Sequence, residues 1–227
     1  MANRLRAASG SDLARQRQEM VEHQLRARGI SDERLLAAMS EVPREEFVPE
    51  QSRAMAYEDR PLPIGAGQTI SQPYIVALMI SAASVRPDDR VLEVGLGSGY
   101  AAAVLSLMAR EVLAIDRIAE LAAGAGGRLA RLGYRNVVVK TGDGTRGWSE
   151  KAPFDVILAA AGAPKVPDAL REQLAVGGRM VIPVGDSDLQ QLILVTRKDE
   201  AQFERQDLEP VHFVPLIGEQ GWNTGPE

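Results

Sequence analysis

Apolar positions along the chain fall first at helical spacing and later into short runs divided by helical stretches. Leu13, Met20, Val21 and Leu25 share one stripe of a predicted helix that Ser11 or Asp12 caps and Gly29 ends after Arg28. Ser31 then caps a second short helix. Asp32 and Glu33 lie in its first turn, where the dipole favours acids, and Leu35, Leu36 and Met39 turn inward. Pro43, Pro49, Pro61 and Pro63 punctuate the next segment, so Val42–Ser71 is predicted as mostly loop with one helical turn. Pro61–Val85 carries no charge, but prolines and glycines break it. Its apolar tail, Ile75–Val85, has 11 residues, short of the about 20 that a bilayer crossing needs. A buried loop leading into a core helix is the expectation there.

From Arg86 the rhythm changes. Strands are predicted at Val91–Gly95, Glu111–Asp116, Asn136–Thr141, Asp155–Ala160 and Arg179–Val184. Helices intervene at Tyr100–Met108, Ile118–Arg131 and Pro167–Leu174. Such alternation implies right-handed βαβ units and a parallel sheet covered on both faces. Leu189–Arg197 and roughly Phe203–Val214 are strands with no helix between them, which implies antiparallel pairing at one edge. The expected fold is α/β and doubly wound: a mostly parallel sheet, an N-terminal helical segment and an antiparallel C-terminal edge. One domain is expected over 1–227, with helices and loop in 1–85 and the α/β core with its C-terminal strands in 86–227. The predicted helix Ile118–Arg131 contains Gly124, Gly126 and Gly127. Each interior glycine costs about 1 kcal/mol relative to alanine, so either its backbone packs closely against something or the helix is broken.

Composition narrows the chemistry. The 227 residues include no cysteine and only two histidines, His23 and His212. Disulfide scaffolds, Cys-zinc sites and thiol nucleophiles are excluded, no metal site is expected, and a Ser-His-Asp hydrolase is disfavoured. A net charge of -5 and 4% aromatic residues argue against nucleic acid as partner. The N-terminal stretch is charged throughout and lacks the apolar region of a secretory signal. No membrane partner and a cytoplasmic location are therefore the expectations, and the chain is expected to be a monomer.

The sharpest signal is Val91-Leu92-Glu93-Val94-Gly95-Leu96-Gly97-Ser98-Gly99-Tyr100. A buried strand runs into glycines that let a ligand approach the backbone, and a helix comes next. Asp116, 17 residues past Gly99, ends the next strand, where an acid can accept both hydroxyls of a ribose. The spacing is G-x-G-x-G rather than the dinucleotide G-x-G-x-x-G. With an acid in the preceding strand, it resembles motif I of S-adenosylmethionine-dependent methyltransferases. Glu93 either orders this loop, approaches the ligand's amino group through water, or is only structural. Gly142-Asp143-Gly144 ends the third core strand, and a short acid there can accept the amino group of an adenine.

The assembled segments resemble the protein-L-isoaspartate O-methyltransferases. They are Met20–Leu25, Arg28–Ile30, Val42–Pro49, Ala56-Tyr57, Pro61–Gly65, Gly67–Tyr74, the Gly-rich turn, Gly142–Gly144 and Val211–Leu216. The Gln68–Tyr74 segment just upstream of the Gly-rich turn is the most specific. The resemblance implies a Rossmann-like methyltransferase fold and methyl transfer from S-adenosyl-L-methionine, leaving S-adenosyl-L-homocysteine, to the α-carboxylate of L-isoaspartyl residues in damaged proteins. The ester then collapses to a succinimide. It also implies substrate binding at Thr69, Ile70 and Ser71, with Ser71 the catalytic residue. Cofactor binding is implied at Glu93, Gly95, Gly97, Ser98, Gly99, Asp116, Arg117, Asp143 and Gly144. Leu96 stands where the family has a small residue, Asp116 where Glu is common, and Gly162 where Ala is. A related carboxylate methyltransferase with a dedicated peptide or metabolite, and a non-catalytic nucleoside-binding domain, are the competing readings. Tyr57, Tyr74, His23 and His212 are expected in packing or at the surface, and Ser71 doubles as a candidate cap for the helix at Pro73.

Overall fold

In the computed structural model, which describes residues 10–223, the stripe Leu13, Met20, Val21 and Leu25 is buried as its spacing requires. One regular helix does not carry it. α1 (Gly10–Glu19) passes into a π-helical turn at Met20–Leu25 and a 3-10 turn at Arg26–Arg28, and Gly29 stops the run with φ 94°. The reading of the extreme N-terminus as no secretory signal rests partly on residues 1–9, outside the described residues. α2 (Glu33–Glu41) is capped by Asp32 and not by Ser31. The Asp32 carboxylate accepts the N–H groups of Arg34 at 2.9 Å and Leu35 at 3.3 Å, and an ionised acceptor makes the stronger bond to a helix end.

The proline-punctuated stretch is more ordered than its sequence predicts. Two 3-10 segments, Arg44–Phe47 and Glu50–Met55, lead to an antiparallel ribbon of β1 (Leu62–Gly65) and β2 (Gln68–Ile70). Gly65, Ala66 and Gly67 make its turn with φ of 98°, 49° and 68°. Strands this short, one with Pro63 inside it, offer too few alternations to read. α3 (Pro73–Ala83) comes next, with proline in its first turn.

Seven strands form the main sheet: β3 (Arg90–Val94), β4 (Glu111–Asp116), β5 (Val137–Thr141), β6 (Phe154–Ala159), β7 (Leu174–Gly185), β8 (Gln190–Arg197) and β9 (Phe203–Val211). Their order is β5-β4-β3-β6-β7-β8-β9. β3 to β7 run parallel, and β8 and β9 are antiparallel additions, as expected from the missing helix between them. α4 (Tyr100–Ser106) and α5 (Ala119–Arg131) connect the strands on one side of β3, and α6 (Asp168–Glu172) precedes β7. Val91, Val112 and Val156 face one core together with residues of α3 and α4, while Leu92, Leu113 and Ile157 face the other with Leu170. Burial on both faces explains why these strands read as continuous apolar runs.

Some boundaries, and the packing of one helix, differ from expectation. The helix predicted at Pro167–Leu174 shrinks to α6, because Leu174 already pairs with Phe154 as the start of β7. β9 ends at Val211, and beyond it the Val214 carbonyl accepts the Gly162 N–H at 2.8 Å. α5 is neither broken nor closely packed at its glycines. A Cβ at Gly124 or Gly127 would meet nothing within 4 Å, and one at Gly126 only the Val139 side chain at 3.8 Å.

Candidate active site

The chain runs outward from β3 to β4 and β5, then crosses back to β6 on the other side of β3. That reversal opens a crevice at the carboxyl ends of the strands, where open α/β sheets bind ligands. Gly95, Gly97 and Gly99 turn there with φ of 85°, 55° and 89°, a region that other residues enter only with strain. The Ile115 carbonyl accepts the N–H groups of Gly95 (2.9 Å) and Leu96 (3.2 Å). Asp116 accepts the Gly97 N–H on one oxygen (2.8 Å) and the Ile118 N–H on the other (2.9 Å). Its carboxylate therefore braces the loop and keeps lone pairs for a ribose. Under the turn, a Cβ at Gly99 would meet the Leu129 side chain at 3.2 Å, so α5 packs directly against it.

Glu93 is 2% exposed and lies beneath this loop; its Oε2 has no hydrogen-bond partner. Burial, and then the charge of Asp116, push its carboxyl well above the usual range. An orphaned buried carboxyl lining a cleft beside open glycines fits a ligand that carries an ammonium group. Asp143 is more heavily engaged than its G-D-G setting predicts. One oxygen accepts the N–H (2.9 Å) and hydroxyl (2.7 Å) of Thr145, and the other the N–H of Glu219 (2.8 Å). Desolvation raises its pKa, but these donors outweigh it and leave the carboxylate below its ordinary value. Gly144 is required by packing, since a Cβ would stand 2.5 Å from Val94 Cγ1. Arg117 is exposed and lines the crevice with Asp116.

The β1–β2 ribbon covers the Gly-rich turn, with Ile64 Cδ1 3.2 Å from where a Cβ at Gly97 would be. Three clefts meet beneath it. One holds Glu93, Ile70, Leu96 and Ser98; one holds Asp116, Arg117 and Gly144; the third opens outward past Arg28, Glu209 and His212. Thr69 and Ala160 line all three, and Ser71 lines the first and third. The Ser71 hydroxyl makes no hydrogen bond among the described residues, and it does not cap α3. Gln72 occupies that position, and the Asp59 carboxylate accepts the Tyr74 N–H at 3.1 Å. Tyr57 and Tyr74 are buried and His23 and His212 exposed, as expected.

Two contributors to the site carry no signal in the sequence, because their partners are distant along the chain. Arg128 of α5 donates to the Ser98 carbonyl at 2.9 Å. Gln190 of β8 accepts the Phe213 N–H at 2.8 Å and occupies the space that a side chain at position 162 would need, 2.9 Å from a Cβ there. That explains glycine at Gly162.

A doubly wound sheet with this reversal, a G-x-G-x-G turn and acids at three strand ends defines the class of S-adenosylmethionine-dependent methyltransferases. The profile of the protein-L-isoaspartate(D-aspartate) O-methyltransferases (PCMT) matches residues 15–221, and the chain belongs to that family. It is 59% identical to protein-L-isoaspartate O-methyltransferase 2 of Marinobacter nauticus, over 94% of this chain and 98% of that protein. With the Rhodopseudomonas palustris protein-L-isoaspartate O-methyltransferase the identity is 56%, over 89% of this chain and 94% of the other. A solved protein-L-isoaspartate O-methyltransferase superposes with a TM-score of 0.81 at 32% identity, over 90% of this chain and 67% of its own. A Plasmodium falciparum protein assigned to the family, solved with S-adenosyl-L-homocysteine, superposes with a TM-score of 0.77 at 26% identity, over 88% of this chain and 98% of that one. Among the described residues no cluster of His, Asp and Glu fits a metal ion, and no helix is long and apolar enough to cross a membrane.

Proposed function

We propose that this chain methylates the α-carboxylate of L-isoaspartyl residues in damaged proteins and peptides. The observation that carries the reading is the junction at Thr69, Ser71 and Ala160, where the cleft of the Gly-rich turn meets a groove open to solvent. S-adenosyl-L-methionine, when bound, supplies an electrophilic methyl group on a cationic sulfur. In this reading Gly95, Gly97, Ser98 and Gly99 offer backbone to it, Asp116 and Arg117 lie at the ribose, and Asp143 and Gly144 at the adenine. Glu93 stands where a buried carboxyl can meet an ammonium.

The substrate carboxylate, with an ordinary pKa near 4, arrives ionised, so the site needs no general base. The unengaged Ser71 hydroxyl donates one hydrogen bond to it, with Thr69 alongside. One neutral donor orients the anion without holding it so tightly that its nucleophilicity is lost. Ile70, Val76 and Leu96 wall the inner cleft with apolar surface, which strips water from the nucleophile. Alignment and dryness together account for the rate in this reading.

The test is radiolabelled methyl transfer to a matched pair of peptides. Alkali-labile ester on the L-isoaspartyl peptide, and little on the aspartyl one, is the expected result. Equal labelling of both peptides would sink the specificity, and cofactor binding without transfer would leave only a nucleoside-binding domain.

A further inference from the structure

Arg44 is the largest of the fully buried side chains. Among the described residues it has no ion pair. Asp59, the carboxylate that acts on it through space, is itself paired to Arg28 at 2.6 Å. Arg44 Nε donates to the Ala56 carbonyl and Nη2 to the Ser71 carbonyl, both at 2.7 Å. Nη1 has no partner, and the guanidinium rests against the Tyr100 ring, 4.7 Å from its centre. Removing a cation from water without a counter-ion is unfavourable, and an apolar side chain of similar length would be buried at lower cost. Stability alone therefore does not account for arginine here.

Its contacts do account for it. Ser71 comes directly after the last residue of β2, and Tyr100 opens α4 directly after Gly99. Arg44 is thus in touch with the substrate side and the cofactor side of the junction at once. We propose that Arg44 is the positioning residue that sets the Ser71 hydroxyl at the junction, by holding the Ser71 carbonyl from behind while bearing on Tyr100. The inference rests on the reading of Ser71 as the substrate-carboxylate donor. Two donors in a fixed planar fork suit this role, since one fork reaches two carbonyls and keeps one plane against a ring.

The experiment compares Arg44→Met, Arg44→Lys, Ser71→Ala and the double variant Arg44→Met/Ser71→Ala on an isoaspartyl peptide. Melting temperature and S-adenosyl-L-homocysteine affinity by calorimetry are measured alongside. Arg44→Met is expected to fold, to bind S-adenosyl-L-homocysteine within about twofold of the parent, and to lose kcat by about 100-fold, the scale of a misplaced reacting group. Arg44→Lys, which keeps the charge and can restore one of the two bonds, is expected to recover part of that loss. The double variant is expected to be no worse than Ser71→Ala, because no hydroxyl remains to be placed.

An active Arg44→Met, or losses that multiply in the double variant, overturns the proposal. Failure of both Arg44 variants to fold makes the residue a stability element and overturns it as well. Ser71→Ala with unchanged kinetics sinks the Ser71 reading itself. An impaired Ser71→Ala beside a fully active Arg44→Met sinks only the role of Arg44.

Discussion

Glu93 is an acid held out of water beneath the Gly-rich turn. It is buried, one oxygen has no partner, and burial followed by the Asp116 charge holds its pKa well above the ordinary 4.5. The folded protein therefore keeps a proton that the unfolded chain has already released. Where the folded state binds more protons, stability falls as pH rises. The loss begins as pH passes the unfolded value and ends above the folded one. Glu93→Gln removes the titration while keeping the shape, so without ligand it should gain melting temperature over the parent as pH rises, with little gain in acid. Scanning calorimetry of both proteins across pH checks this, and parallel curves would refute it. Asp143 shows the opposite environment with the same residue chemistry, since three donors hold it ionised and tie Glu219 to the end of β5. The acids at the strand ends were legible in the sequence; their partners were not. Asp116 binds N–H groups on both sides of itself, and Asp143 reaches across to a segment near the C-terminus.

At the scale of elements, α5 shows that local propensity is a weak constraint. Gly124 and Gly127 lie exposed on a continuous helix, and added methyl groups would meet nothing. Ala122, Ala125 and Leu129 hold the opposite face in the core, which offsets the backbone entropy. Gly124→Ala and Gly127→Ala should each stabilise the protein by about 0.5–1 kcal/mol, with methyl-transfer activity retained. Urea denaturation measures the gain, and no gain in either variant would mean that the glycines serve a contact absent from this structure. The core strands could be read because each is an apolar run flanked by turn residues. The β1–β2 ribbon could not, because its strands are too short for alternation and its order comes from lying over the Gly-rich turn. The π-helical turn at Met20–Leu25 was equally hidden, since the apolar stripe is compatible with a regular helix.

Across the whole molecule, the crevice at one end of the sheet is balanced by a staple at the other. Arg179 of β7 pairs with Asp89 at 2.7 Å, the two side chains being 11% and 8% exposed. It also donates to the carbonyls of Ala83 (2.9 Å) and Ser84 (2.8 Å), fastening the end of α3 to the amino-terminal side of the strands. Arg179→Ala leaves a buried carboxylate unpaired and should cost about 3–5 kcal/mol. S-adenosyl-L-homocysteine affinity of the folded protein should change little, because the staple lies away from the Gly-rich turn. Denaturant melts and calorimetry together separate the two effects, and a large fall in affinity would contradict the division.

The order of apolar runs and turn residues by itself determined the doubly wound core and the antiparallel edge, and the resemblance of Gln68–Tyr74, Glu93–Tyr100 and Gly142–Gly144 to family motifs pointed to the family, because these depend on neighbours in the chain. Only the tertiary structure decided how the site is put together: the covering ribbon, the meeting of three clefts at Thr69 and Ala160, and the hold of Arg44 on Ser71. Those contacts join residues far apart in sequence, and no local pattern encodes a distance across a fold.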